Sequence, residues 1–269
     1  MKIGEYRRHL LDSYRENKKT FFFFSVLHVL VILTMIRCIF TQNYENVLLC
    51  ILTLGLFLVP ALVQDKMKLK IPPLFQGIIF GFIYAAEILG EVNHYYVRIP
   101  GWDTMLHTMN GFLCAAIGFS LIYLLNRGSK NISLSPFYLT LVAFCFSMTI
   151  GVLWEFFEFS MDQFFFVDMQ KDFVVQDFGS VSLDPEQMGK PIHVSKITDT
   201  VINTADGRTY TVEGGYLDIG ILDTMKDLLV NLAGALVFSF IGYSTLKFSK
   251  TSKVTESLMI KPREEPEGS

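Results

Sequence analysis

GVLWEFFEFSMD, residues 151–162, is an apolar helical run that carries three acids. Glu155, Glu158 and Asp162 fall at i, i+3 and i+7, which puts them on one face of a helix. A carboxylate at hydrocarbon depth costs roughly 2.5–3.5 kcal/mol even on lenient insertion scales. Lipid does not tolerate three in succession, so this face must turn toward protein, water or a cation. The flanking sequence decides whether the run lies in a membrane at all.

It does, by composition. Of 269 residues 51% are hydrophobic, 25 are Phe and only 18% are charged. With apolar runs near 20 residues, this is an all-α polytopic membrane protein and not a soluble core. Six spans are expected: 20–40, 46–63, 74–91, 104–125, 136–162 and 218–246. Residues 1–19 form a basic segment that can lie on the membrane surface as a short amphipathic helix. Residues 164–217 are polar, and 194–213 alternate around Asp206-Gly207. That pattern predicts a β-hairpin with a primed turn, in a small extracytoplasmic lobe between helices five and six. Residues 247–269 turn acidic and read as a disordered cytoplasmic tail. The chain thus divides into 1–19, five spans within 20–163, the lobe 164–217, the sixth span 218–246 and the tail. Cys38, Cys50, Cys114 and Cys145 all sit in apolar segments without zinc-ligand spacing, as small core residues.

Charge orients the spans. With both termini cytoplasmic, the inner segments carry 6, 3, 2 and 5 Lys/Arg and the outer ones 0, 1 and 4, the four belonging to the long lobe. Every short connection obeys the positive-inside rule. Basic residues sit where topology needs them, which argues against a nucleic-acid partner.

With that topology the intramembrane polar residues share one half of the bilayer. Asp103, His107 and Asn110 open span four. Glu155, Glu158 and Asp162 close span five. Asp223, Asp227 and Asn231 open span six, and Glu87 and Glu91 end span three. At about 1.5 Å rise per residue, Asp103, Asp162 and Asp223 form a rim, with His107, Glu158 and Asp227 about one turn below. Asn110, Glu155 and Asn231 lie about another turn deeper. The set describes a polar well open to the outside. Its acids outnumber Lys226 and Arg98, the obvious counter-charges. Some carboxylates are therefore protonated, or a divalent cation (Mg²⁺, Mn²⁺ or Zn²⁺) sits among them. A structural role competes with this: Asp103 and Asp218 fit N-caps equally well, and buried Asn and His can tie helices together.

Three segments carry a resemblance: WDTMLHTMNGFLCAAIG (102–118), GVLWEFFEFSMD (151–162) and DTMKDLLVNLAGALV (223–237). Together they resemble the VanZ-like superfamily of bacterial membrane proteins, nearest its YjdF-type branch. Residue by residue, the likeness makes Asp103, His107, Glu155, Glu158, Asp223, Asp227 and Asn231 the family's polar positions. It implies a bacterial plasma-membrane protein with a loose link to the cell envelope, and no particular reaction. The lobe at 164–217 is larger than the family's usual connection.

Three readings stay open. In the first, a membrane enzyme acts on an envelope lipid or lipid-linked substrate. There His107, Glu155 and Glu158 are the acid–base groups, Asp103, Asn110 and Asn231 bind or orient substrate, and Asp223, Asp227 and Asp162 hold a metal. In the second, the same carboxylates carry protons or cations in a transporter. In the third, the protein is a non-catalytic envelope sensor or scaffold that uses the lobe.

Overall fold

A computed structural model describes residues 17–129, 133–248 and 257–263. The expected surface helix at the N-terminus lies outside the described residues. Six helices are long and apolar enough to cross a membrane: Lys18–Phe40, Tyr44–Lys66, Pro73–Val92, Trp102–Gly128, Pro136–Phe165 and Ile221–Lys247. The opening stretch shows why the reading holds. Leu153, Phe156 and Phe159 are 55%, 61% and 53% exposed, whereas Glu155 and Glu158 are 4% and 8% exposed. Phenylalanines outward and acids inward is the reverse of a soluble helix, and it is stable only where the surroundings are lipid.

In detail, the helices are α1 (Lys18–Phe40), α2 (Tyr44–Leu56), α3 (Val59–Lys66), α4 (Pro73–Tyr84), α5 (Tyr95–Arg98), α6 (Trp102–Gly128), α7 (Pro136–Phe165) and α8 (Ile221–Lys247). The second span is α2 and α3 in series. The third is α4 continued by a π-helical stretch, Ala85–Val92, which holds Glu87 and Glu91. The wider turn of a π-helix is a recurrent feature of functional sites. It ends at Val92, and His94, with φ of 58°, turns the chain into α5.

The chain forms two compact units, residues 1–151 with 230–269, and residues 152–229. In the first, α1, α2 and the third span share a cluster built on Val31, Cys50, Phe57, Phe80 and Ile88. His28 belongs to the same layer, its ring 3.9 Å from Phe24 and 4.8 Å from Phe57, as a core histidine. Arg37 finds an amide and not an acid: it donates to Asn93 Oδ1 at 3.2 Å. A second cluster gathers Phe75, Leu113, Phe119 and Phe238.

That second cluster corrects the expected tail. Leu258 and Ile260 are buried within it at 4% exposure each. The Ile260 N–H donates to the buried Ser120 Oγ at 3.1 Å. Lys261 and Pro262 form strand β8, antiparallel to β1 (Leu69–Lys70). The composition of the tail is charged, but two apolar side chains and one β-bridge are enough to fold Ser257–Arg263 onto the helices.

The second unit contains the lobe, which is more than one hairpin. β2 (Val174–Val175) pairs with β7 (Tyr216–Leu217), β3 (Phe178–Ser180) with β4 (Ile192–Val194), and β5 (Asp199–Asn203) with β6 (Thr209–Glu213), all antiparallel. The β5–β6 turn is not primed. Its one residue of positive φ is Gly207, at 84°. Gly207 N–H donates to Thr204 O at 3.0 Å, and Thr204 N–H to Arg208 O at 2.9 Å. This is a type I turn followed by a left-handed glycine, the three-residue hairpin loop. Asp184 organises the 184–190 loop by accepting backbone N–H bonds from Glu186, Met188 and Lys190 at 3.0–3.1 Å. Those amides, Lys190 foremost, hold its carboxyl below the ordinary carboxylate range against the opposing effect of burial.

Candidate functional site

The first unit presents a polar junction of three helices. Asn231 on α8 is 1% exposed. It accepts from Asn110 Nδ2 of α6 at 3.1 Å and points its own amide toward Met148 Sδ of α7 at 3.7 Å. Cys114 Sγ in turn donates to Asn110 Oδ1 at 3.4 Å. Ser147 Oγ on α7 donates to the Gly111 carbonyl at 2.7 Å. Such a network requires close backbones, and glycine supplies them. A Cβ on Gly111 would lie 2.0 Å from the Asn231 carbonyl oxygen, and one on Gly151 2.7 Å from Asn231 Nδ2. Small residues at crossings and amides as glue are how helices associate in lipid.

His107 lies one turn from this junction on α6 and is buried. Its Nε2 is 3.4 Å from Asp103 Oδ1. Asp103 is therefore not the N-cap. That position is Gly101, with φ 78°, and Asp103 sits inside the first turn beneath its histidine. A carboxylate on one ring nitrogen fixes the tautomer and orientation of the ring.

In the second unit Glu155 and Glu158 are both buried, and each brings a carboxylate oxygen within 4.8 Å of the other. Trp154 Nε1 donates to Glu158 Oε1 at 2.8 Å. Trp154 is a partner the sequence did not assign, although its i, i+4 spacing from Glu158 was readable. Asp227 is 2% exposed and Asp223 5%. Lys226 Nζ lies 3.6 Å from Asp223 Oδ1 and 4.0 Å from Asp227 Oδ1.

The rim acids have backbone partners in the lobe. Asp162 accepts from the N–H groups of Met169 and Gln170, the second at 2.8 Å. Asp223 Oδ2 accepts from Lys171 N–H at 2.9 Å. Asp218 accepts from Phe173 N–H at 2.6 Å and from Leu222 N–H at 2.8 Å, capping α8. Gln170 also donates to Thr224 Oγ1. Residues 169–173 are thus a strap tied down by three carboxylates. Asp172, on the same strap, has its carboxyl pushed up by desolvation first and then by Asp168, Asp218 and Asp162, against Lys171. Charge-assisted bonds of this kind contribute about 1.5–3 kcal/mol each. Asp162→Ala is expected to raise amide hydrogen exchange at Met169–Phe173 by more than about tenfold, since each 1.4 kcal/mol of local opening is a factor of ten. Unchanged exchange in that segment would show that Asp162 does not anchor the strap.

Among the described residues, metal-ligating types include an Asp103–His107 pair in the first unit and, in the second, a Glu155–Glu158 pair and the buried Asp227. A family model described as "Predicted membrane protein (DUF2238)" matches residues 22–248. The chain belongs to that family. No functionally curated protein and no solved structure matches it. Membership agrees with the six apolar helices, and the match takes in all the candidate residues from Asp103 to Asn231.

Proposed function

We propose that this membrane protein carries a divalent cation on the buried pair Glu155 and Glu158, and uses it on an envelope lipid or lipid-linked substrate. The observation that carries the reading is that pair itself: both carboxylates are buried on one face of α7, an oxygen of each within 4.8 Å of the other, and Trp154 Nε1 donates to Glu158 at 2.8 Å.

Two carboxylates this close and this buried repel one another when both are ionised, which favours a shared cation between them. A cation there would polarise an ester or phosphate oxygen and lower the pKa of a bound water. Glu158, held by Trp154, is the oriented carboxylate suited to accept that proton. Asp103 positions His107. Asp162 serves the strap and is left out of the ligand set. The likeness to VanZ-like proteins supports a bacterial plasma-membrane setting with both termini cytoplasmic and the site toward the envelope.

A Mn²⁺ titration of the purified full-length protein, read by electron paramagnetic resonance, tests this. One tight site per chain is expected. Glu155→Gln and Glu158→Gln should each weaken it by roughly a hundredfold or more, since even outer-shell changes cost about 10–100-fold in metal affinity. Absence of a tight site, or one indifferent to both substitutions, overturns the metal reading. A scaffold reading then gains from the rim, where Asp162, Asp218 and Asp223 already hold the lobe.

A further inference from the structure

Away from the polar layer, the first unit has a cleft of about 450 Å³ between α1 and α4, touched by Met109 of α6. Its walls are apolar: Phe23 on α1, and Leu74, Gly77 and Gly81 on α4. Gly81 is in ordinary contact with the Phe23 ring, at 3.7 Å from an added Cβ. Gly77 is different, because a Cβ there would meet nothing within 4 Å. The cleft runs from Pro73 to Phe82, ten residues whose ends lie roughly 13 Å apart along the helix. That is close to one leaflet of a hydrocarbon core about 30 Å thick.

The end of the cleft is as specific as its walls. Lys19 lines the mouth and is exposed. Two helices begin at the same place, α1 at Lys18 and α4 at Pro73, and Thr20 Oγ1 joins them by donating to the Pro73 carbonyl at 3.3 Å. Each helix N-terminus carries roughly half a positive charge. Among the described residues no acid lines the cleft. An apolar slot one leaflet long, with a lysine and two helix N-termini at its polar end, has the charge and shape of a receptor for one amphiphile.

We infer that the cleft binds a phospholipid with an anionic headgroup, one acyl chain along Gly77 and Gly81 and the phosphate at Lys19. The site lies in the leaflet on the side of the chain's N-terminus. It is independent of the cation site and stands or falls without it. Gly77 and Gly81 keep the slot open for the chain, and Lys19 selects the headgroup.

Native mass spectrometry of the full-length protein tests this, with titration by phosphatidylglycerol or phosphatidylcholine of equal chain length. The first phosphatidylglycerol is expected to bind roughly tenfold more tightly than the first phosphatidylcholine. Gly77→Leu fills open space and should remove this first site for both lipids. Lys19→Ala should keep lipid binding and abolish the preference. Gly55→Leu, where an added Cβ also meets nothing within 4 Å and which lies outside the cleft, should change neither. Lys19→Ala carries the test if Gly77→Leu does not fold. Equal affinity of the native protein for the two lipids overturns the inference, as does a preference that survives Lys19→Ala or a first site that survives Gly77→Leu.

Discussion

Gly234→Ala is expected to destabilise the protein by about 3 kcal/mol or more, a large effect for one added methyl group. In most helix interiors this substitution is favourable by about 1 kcal/mol, because glycine has the greater conformational freedom to lose. Here the new Cβ would stand 2.0 Å from the Thr108 carbonyl oxygen and 2.9 Å from the Phe112 nitrogen. Both are backbone atoms, so no rotamer change relieves the clash. α6 and α8 must separate, and the bond from Asn110 to Asn231 depends on their present spacing. Ser147 would follow, because the Gly111 carbonyl it holds lies on the face that moves. Overpacking alone costs about 1–3 kcal/mol, and the lost buried hydrogen bonds add to it. Gly111→Ala should behave alike, with its Cβ 2.0 Å from the Asn231 carbonyl oxygen. Gly128→Ala is the control, since nothing lies within 4 Å of that position. Thermal unfolding in detergent separates them: the first two should melt far below the native protein, the control at or above it. A Gly234→Ala protein that melts with the control would show that the crossing is not tight.

The reading of helices from sequence succeeded because hydrocarbon imposes a length and a composition, and both are visible in one dimension. Glu155 and Glu158 were legible as inward-facing because their spacing and their cost in lipid left no other direction. Asn231 and Asn110 were legible as polar and equally deep, but not as partners of each other. Hydrogen-bond pairing across 121 residues leaves no periodic trace. Asp162 and Asp223 show the limit more sharply. Their depth suited a metal rim, yet both accept backbone amides from residues 169–171. A backbone N–H looks the same whatever the residue, so a carboxylate bound to one has no signature in sequence. The cap expected at Asp103 lies two positions earlier, because Gly101 in a left-handed conformation starts the helix without any side-chain cap. The π-helical stretch at Ala85–Val92 was invisible for a related reason. It alters hydrogen-bond register without altering apolar pattern.

The C-terminal segment supplies the second large effect, because composition there pointed away from structure. Removing residues 257–269 is expected to destabilise the first unit by several kcal/mol. Leu258 and Ile260 are each buried among Ile71, Phe75, Phe119 and Phe238. Truncating one such side chain to alanine costs about 2–5 kcal/mol, from lost transfer energy plus the cavity left behind. The two neighbours share that cavity, so the full deletion should cost less than the sum of Leu258→Ala and Ile260→Ala. Polar losses add to it. Ser120 Oγ, fully buried, would lose the Ile260 N–H, and Lys68 would lose its bond from Arg263 N–H at 2.9 Å. The ion pair between Arg263 and Asp65, at 3.8 Å and half exposed, contributes little by comparison. Deletion from Ser257 should therefore lower the melting temperature sharply. A truncated chain that melts with the native protein would mean that Leu258 and Ile260 are not core residues. A graded loss, with Ile260→Ala between the native protein and the deletion, is the result that a folded segment at Ser257–Arg263 requires.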